Sequence, residues 1–505
     1  MNKVKLVAVS VGILAGAASA APWYNGLRTE QKMRADIETL GADKQSPVTI
    51  SYTRFERGWL ASEAVSRIAL KADPKLYVDV RHQISHVPDR ASWVRMHSVP
   101  QWTGELKAEL DYYFSGQAPI SVDTVFNYDG SRVSHFVSPA FTKPLHQQPE
   151  TTVTWGGMQG NLTVDTQEQW VANATVPTLA VEGGDAQAVL TGVKVEGAWD
   201  MHGAAIDWQG ETKLGVGEFR YVTTLQQVAV KDLVGSVSQH SKGNNVQLGY
   251  ALRVGSGSAA HAGDASQSIS NAVLELEFAN LNKAALAKYF GDFGNAEKLD
   301  ITPEQRGRLA LQLAMKLGMD LLRGSPELRV KQLGVETPAG SVLAHASVVF
   351  DGSSLPEMPV PADLMTRLKA KADVKISGTL LRTQLQHRVR PQVEVALRQQ
   401  GGVGTEENIR AMSDKVIEEQ LKSLTDAGLL RTSGQDFTVD AQFAMGQMLV
   451  NGAPANQLFG GMFGAPSSPA TPPGHAPGGE AAVPADPAAL AERRAFAAVP
   501  PTTLR

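Results

Sequence analysis

Cysteine is absent from all 505 residues, which removes disulfides, thiolate metal sites and cysteine nucleophiles from consideration. Charge of one sign is missing as well: 47 Lys and Arg against 51 Asp and Glu leave a formal net charge of -4. With no dense basic stripe the chain lacks the electrostatic footprint of a nucleic-acid partner, and that class is discarded. No stretch after Trp23 is long and apolar enough to span a bilayer, so the remainder is expected to be soluble and outside the cytoplasm. What is present in quantity is globular composition, with 43% hydrophobic and 19% charged residues; a chain of this length holds one very large domain or two to four ordinary ones.

The start carries the plainest message. Lys3 and Lys5 precede an uncharged run from Leu6 to Ala21 that ends in Ala18-Ser19-Ala20. A basic segment, a short apolar segment and small residues before a cleavage point direct export. The run of ~16 residues falls just under the ~17 that can cross a bilayer, so residues 1–22 read as a signal peptide cleaved after Ala20 or as a retained membrane anchor.

Beyond it, Met33, Ile37 and Leu40 suit a modest amphipathic helix over Leu27 to Leu40. From Pro47 the period changes to two. Val48, Ile50 and Tyr52 alternate, a second run follows the Arg57-Gly58 turn from Leu60 to Leu70, and Asp129-Gly130 joins Ile120–Phe126 to Val133–Val137 as a hairpin. Similar segments recur at Thr151–Trp155, Val189–Trp199, Val246–Val254 and Ala272–Phe278. The spacing predicts a β-rich α+β protein: large, elongated antiparallel sheet over 23–280, then an α+β region over 281–464 continuous with it, with the supporting helices in the C-terminal half. Thr302-Pro303-Glu304-Gln305 forms a capping box ahead of Leu309, Leu313, Leu317 and Leu321, ending at Gly324; a second helix runs from Thr405 to Gly428. Leu328–Val330, Val342–Phe350, Val374–Leu380 and Phe437–Phe443 read as strands. Residues 465–505, rich in Pro, Gly and Ala, form a tail expected to be disordered.

Candidate chemistry is sparse. His82 and His86 have a helical metal-ligand spacing, but Val78, Val80 and Ile84 around them indicate an extended segment with no third ligand. Gly255-Ser256-Gly257-Ser258 matches a dinucleotide loop by letter, lacks the following helix, and reads as an ordinary flexible loop. Asp292-Phe293-Gly294 stands without the other elements of a kinase. Asn161-Leu162-Thr163 reads as a strand entry. No Gly-x-Ser-x-Gly elbow or helix-borne histidine pair is present. Trp59, Trp93 and Trp102, with Tyr112 and Tyr113, either fill a core or line an apolar groove, core filling being the commoner use of such residues. No cofactor is expected.

The run Ser51-Tyr52-Thr53-Arg54-Phe55-Glu56-Arg57-Gly58-Trp59-Leu60-Ala61-Ser62 resembles a signature of the YdgA family, bacterial envelope proteins sharing domain of unknown function 945. Leu322-Arg323-Gly324-Ser325-Pro326 looks like that family's helix-to-strand junction. Phe443-Ala444-Met445-Gly446-Gln447-Met448, Leu449-Val450-Asn451-Gly452 and Leu458-Phe459-Gly460-Gly461-Met462-Phe463 look like its C-terminal end. At His86-Val87-Pro88 the family commonly shows His-Gly-Pro. The resemblance implies no catalytic residues; it implies a single-anchor inner-membrane protein facing the periplasm, with self-association as a partner to test. Gly58 is expected to serve a tight connection, and Tyr52 and Trp59 to pack on adjoining strands.

The sequence thus leads to a non-enzymatic envelope protein that binds or scaffolds. A lipid or amphiphile carrier with an uncovered apolar sheet face is one alternative, and an envelope hydrolase with an unrecognised site is the other.

Overall fold

Period-two alternation makes each strand two-faced, and the chain satisfies it by laying each strand antiparallel against an earlier one. The computed structural model describes residues 27–31, 33–34, 48–71, 73, 76–202, 205–263, 266–296, 299, 301–357, 359–399 and 405–454. The expected signal segment, the tail and the Leu458–Phe463 motif lie outside these residues. Among them, 22 strands join one sheet. Strands β1 (Val48–Arg57), β2 (Ala61–Leu70), β3 (Tyr77–Ser85), β4 (Ser92–Gln101), β5 (Ser121–Asn127) and β6 (Arg132–Ser138) pair in sequence order. A side hairpin of β7 (Phe141–Leu145) and β8 (Gln148–Trp155) follows, and β9 (Met158–Val164) returns to β6. One edge of β10 (Gln169–Gly183) takes β9 along Trp170–Thr175 and β8 along Leu179–Gly183.

From β10 the meander continues through β11 (Ala186–Asp200), β12 (Gln209–Thr223), β13 (Gln226–Lys242), β14 (Asn245–His261), β15 (Gln267–Asn282), β16 (Glu327–Thr337), β17 (Gly340–Phe350) and β18 (Leu368–Ser377). Strand β20 (Asp436–Ala444) pairs with β18, while β19 (Arg431–Ser433) and β21 (Gln447–Val450) share its other edge and β22 (Ala453–Pro454) pairs with β21. Strands β10 to β15 run 15 to 17 residues each, about 50 Å at the usual rise. The antiparallel sheet is as the alternation predicts, but its strands are much longer than the alternating runs legible in the sequence.

The helices are not confined to the C-terminal half, which corrects the expected placement. Residues 27–31 and 33–34 are helical, as the spacing over Leu27 to Leu40 predicts, but α1 (Gly104–Phe114), which connects β4 to β5, was not expected. Helix α1 has no apolar stripe to betray it: none of its residues is buried, and its Thr103 cap makes no side-chain hydrogen bond. It is held instead by Tyr113 and Phe114, whose rings lie 5.3 and 4.9 Å from that of Phe141 on β7.

In the second half, α2 (Lys283–Ala296) and α3 (Pro303–Arg323) connect β15 to β16. The capping box of α3 is formed as predicted, Gln305 N donating to Thr302 Oγ1 at 3.3 Å and Thr302 N to Gln305 Oε1 at 3.0 Å. After α4 (Pro361–Arg367), α5 (Gly378–Gln399) and α6 (Glu406–Asp426) form a hairpin between β18 and β19. Helix α5 starts where Val374–Leu380 reads as a strand, because Leu380 and Leu381 continue the apolar run of β18 without a break in composition.

Three buried clusters place these helices on one sheet face. Met33 packs with Ala64, Ile84, Val94 and Phe126 at the N-terminal strands. Leu317 and Leu321 of α3 cover Val246 and Leu281. Val389, Val393, Ile417 and Leu421 of α5 and α6 cover Phe437. Burying each such side chain contributes about 1.5–3 kcal/mol.

One transverse line interrupts the long strands. Pro177, Gly192, Gly217, Asp232, Gly255 and Asn271 stand opposite one another on β10 to β15 and drop out of the pairing at the same level. Gly192, Asp232 and Asn271 are left-handed, with φ of 63°, 53° and 48°. Such residues bend a strand and shift its alternation by one. The sequence changes phase with them: Val216, Leu233 and Val254 are apolar on one side, Phe219, Val230 and Gly257 line up on the other. Gly255-Ser256-Gly257-Ser258 is therefore strand rather than loop, Gly255 being required by its neighbour and not by flexibility. A Cβ on Gly255 would meet Asp232 Cβ at 2.8 Å, whereas one on Gly235 finds nothing nearer than the Ala251 carbonyl oxygen at 4.0 Å. Gly255→Val is therefore expected to lower stability by about 2 kcal/mol or more, and Gly235→Ala to change it by less than about 1 kcal/mol, read as shifts in urea unfolding midpoint.

Candidate functional site

The N-terminal motif closes one end of the sheet. Strands β1 and β2 are joined at Gly58, where a Cβ would collide with the carbonyl oxygen of Ala61; only glycine fits the connection. Tyr52 and Phe55 lie on β1, their rings 6.2 Å apart and edge to face, and both pack on the cluster of Ala64, Ile84 and Val94. Ser51 points to the other face of the same strand and is exposed. Arg57 reaches Glu30 of the N-terminal helical segment at 3.5 Å. Trp59 and Leu60 form the turn itself and are exposed, which corrects the expectation that Trp59 packs on a strand. A turn so short has no second layer over its tip.

Ser62 begins the buried side of β2 and shares a hydrogen bond of 2.7 Å with His86 Nε2, both residues being almost completely buried. The backbone N–H of His86 donates to the carbonyl of Leu60 at 2.8 Å, so this one residue ties the β3–β4 connection to the β1–β2 turn. Val87 is exposed without a positive φ, so the backbone beside Pro88 needs no glycine here. Beyond Pro88, the Asp89 carboxylate accepts from the backbone N–H groups of Ala91 and Ser92 at 2.8 and 2.7 Å and pairs with Arg95, which together hold its pKa well below the usual carboxylate range. His82 is extended on β3, with Nε2 2.8 Å from Ser66 and Nδ1 2.8 Å from Ser98. Burial lowers both imidazoles, His82 to about 4.

The Ser62–His86 pair lacks two features of a nucleophile and its base. A Ser–His pair needs an acceptor on the second ring nitrogen and an open path to the hydroxyl. His86 Nδ1 is buried with no partner among the described residues, and Ser62 is closed to solvent. The two histidines face different serines and do not converge. Of the aromatics weighed as a cluster, Trp93 is core, its Nε1 donating to Asn127 O at 3.0 Å, while Tyr112 and Tyr113 sit on α1 at the opposite end of the strands.

The C-terminal motif residues lie apart from this end and serve as connectors. Gly324 caps α3, where a Cβ would approach Leu321 O at 3.1 Å, and Pro326 O accepts from Phe350 N at 3.1 Å. Met445 and Gly446, φ 52° and 75°, make the left-handed hairpin turn into Gln447 and Met448 of β21, and Asn451 and Gly452, φ 52° and 86°, make the next, as two-residue hairpins require. Asn451 Oδ1 accepts from Asp440 N at 2.9 Å and its Nδ2 donates to Gly428 O at 2.9 Å, which locks β21 to the end of α6.

A different feature was not singled out by sequence reasoning. Between the three helical covers, register places Leu214, Gly235, Leu252, Leu274, Leu333 and Ala344 in one line across β12 to β17. Thr212, Val237, Tyr250, Leu276, Val330 and Ala346 form the next line. Leu214, Val237, Tyr250, Leu252 and Leu333 are 41% to 48% exposed. Two adjoining depressions of about 320 and 350 Å³ lie on this wall and share Leu252 and Leu274. The opposite face of the same strands is charged: Arg253 pairs with Glu275, and the buried Glu277 carboxylate is held ionised by Lys331 and by Arg329 at 2.8 Å. Alternation at Leu214/Val216 and Leu274/Leu276 was the available signal; the lining-up across strands is not visible in any one of them.

A family model described as a bacterial protein of unknown function, DUF945, matches residues 1–457. No curated protein matches the chain.

The buried imidazoles make stability depend on acid. His82 has a folded pKa of about 4 against an unfolded value near 6.5. Its contribution is fully present above pH ~6.5 and is lost as pH falls toward 4, because the unfolded chain takes up a proton that the folded chain refuses. Stability is expected to fall by about 2 kcal/mol between pH 6.5 and 4.5 through this group, and His82→Gln to flatten that dependence while lowering stability at pH 7; urea midpoints across the pH range read both.

Proposed function

Since the chain belongs to the DUF945 family of bacterial proteins, we propose that it is a non-enzymatic protein of the cell envelope, at the inner membrane and facing the periplasm, that holds the apolar part of a lipid or other amphiphile on its uncovered sheet wall. The observation that carries this reading is the apolar line Leu214–Leu252–Leu274–Leu333, exposed at Leu214, Leu252 and Leu333, half-buried at Leu274, and bordered by helices that cover the same face elsewhere. An uncovered apolar surface of this extent marks a ligand groove or an interface rather than ordinary surface. Strand spacing of about 4.8 Å makes the wall from β12 to β17 about 24 Å wide, longer than the ~15 Å that one tail spans in a ~30 Å bilayer core. The export pattern at Lys3–Ala21 supports the envelope location, and the enclosed Ser62–His86 pair gives no support to a hydrolase.

The wall also offers a surface to a second copy of the chain, which would bury the same leucines. Native mass spectrometry of the protein purified from a bacterial envelope separates the readings. A bound amphiphile mass on the monomer is expected, lost in Leu252→Asp/Leu274→Asp; a ligand-free dimer that the same substitutions dissociate would replace the carrier reading with self-association.

A further inference from the structure

The most specific motif in the sequence, Arg57-Gly58-Trp59-Leu60 with His86 and Pro88, has no part in the wall. Register shows where it lies. Arg57 faces Ser62, Ala61 faces Ser85, Ser85 faces Arg95 and Ser92 faces Asn127. The β1–β2 turn, the β3–β4 connection and the β5–β6 turn therefore emerge side by side at one end of the sheet.

They are also bonded into one surface. His86 N donates to Leu60 O at 2.8 Å, Tyr128 N to Ala91 O at 3.3 Å, and Tyr128 Oη to Asp89 O at 3.1 Å. Buried Ser62 and His86 brace this rim from behind. Beside the exposed Asp89, Arg90 and Asp129, the residues presented outward include Trp59, Leu60, Val87 and Tyr128, between 53% and 59% exposed. Apolar and aromatic side chains at the tips of three adjacent turns, each held rigid from inside, gain nothing from water.

Where the chain enters supplies the occupant. Arg28 lies 5.1 Å from the centre of the Trp93 ring and Glu30 pairs with Arg57, so the first described residues arrive at this same end. The apolar run Leu6–Ala21 precedes residue 27 by six residues, a reach of at most about 20 Å. Tryptophan and tyrosine are favoured at the boundary between headgroups and hydrocarbon, where a ring has one apolar and one polar side.

We propose that this rim rests in the headgroup layer of a lipid bilayer, with Trp59, Leu60, Val87 and Tyr128 as the contact residues. The long strands then lead away from the membrane, and the motif is a foot that sets their orientation. Whatever occupies the wall, the rim stands on its own evidence.

The absence of cysteine makes the test direct. Leu60→Cys and Val87→Cys in the full chain are labelled with a polarity-sensitive fluorophore and bound to vesicles of phosphatidylethanolamine and phosphatidylglycerol. Leu225→Cys, at the β12–β13 turn on the opposite end of the strands and 61% exposed, is the control. A blue shift and a several-fold loss of iodide quenching at positions 60 and 87, with none at 225, are expected. Equal aqueous exposure at all three positions in vesicle-bound protein would overturn the proposal. So would equal shielding at 60 and 87 without vesicles, since a protein surface would then be the occupant. Trp59→Ser/Tyr128→Ser should restore quenching at position 60 while the chain stays bound through its N-terminal segment. Amphiphile binding at the wall is measured separately by mass, so failure of one reading leaves the other standing.

Discussion

Backbone pairing in strict register is the constraint on which the rest of this protein depends. Because side chains alternate with a period of two, slipping any of the long strands by one residue would exchange its apolar and charged faces. The pairs on the two faces guard against this. Leu252 sits between Gly235 and Leu274, while Arg253 meets Glu275 on the reverse side. The transverse line through Gly192, Asp232 and Asn271 shows how tightly the strands are coupled: all six change phase at the same level, since a phase change in one alone would set apolar residues against charged ones.

The sheet is completed differently along its length. At the N-terminal strands a short helical segment and a row of hydroxyl–imidazole contacts, Ser62–His86 and Ser66–His82–Ser98, fill the covered face. The hydroxyls of Ser62, Ser66 and Ser98 are tolerated there because each meets a ring nitrogen. At the C-terminal strands the α5–α6 hairpin does the same work with aliphatic side chains. The strands between are covered only at one end, where α3 packs on Val246 and Leu281, and the rest of their apolar side remains open. The division follows from local chemistry: each covering helix is an insertion at a strand end, after β15 or β18 or ahead of β1, and its reach is limited to nearby strands.

The motif residues illustrate why recognition of a pattern is not recognition of a site. Gly58, Gly446 and Gly452 fit their turns because these exclude a Cβ or require a left-handed φ, the Asn451 amide joins β20 to the end of α6, and His86 holds two connections together. Each of these residues serves a connection of the fold. Trp59 and Leu60 differ from these in facing outward, which no internal packing explains.

Much of this could be read from the residues alone. Alternation from Val48 onward determined a β-rich protein, and the short spacing of its runs, with no helix between most of them, determined antiparallel pairing, because a parallel neighbour needs a long crossover. The Thr302-Pro303-Gln305 signature determined the start of α3 through its own backbone hydrogen bonds. Helix α1, with no buried residue, and α5, whose apolar run continues that of β18, were not legible, since tertiary contacts rather than local pattern hold them. Nor was the open wall. Whether Leu214, Leu252, Leu274 and Leu333 share one line is a property of register across strands up to 119 residues apart, and only the folded chain, by placing its helices elsewhere on that face, decided that no helix would cover it.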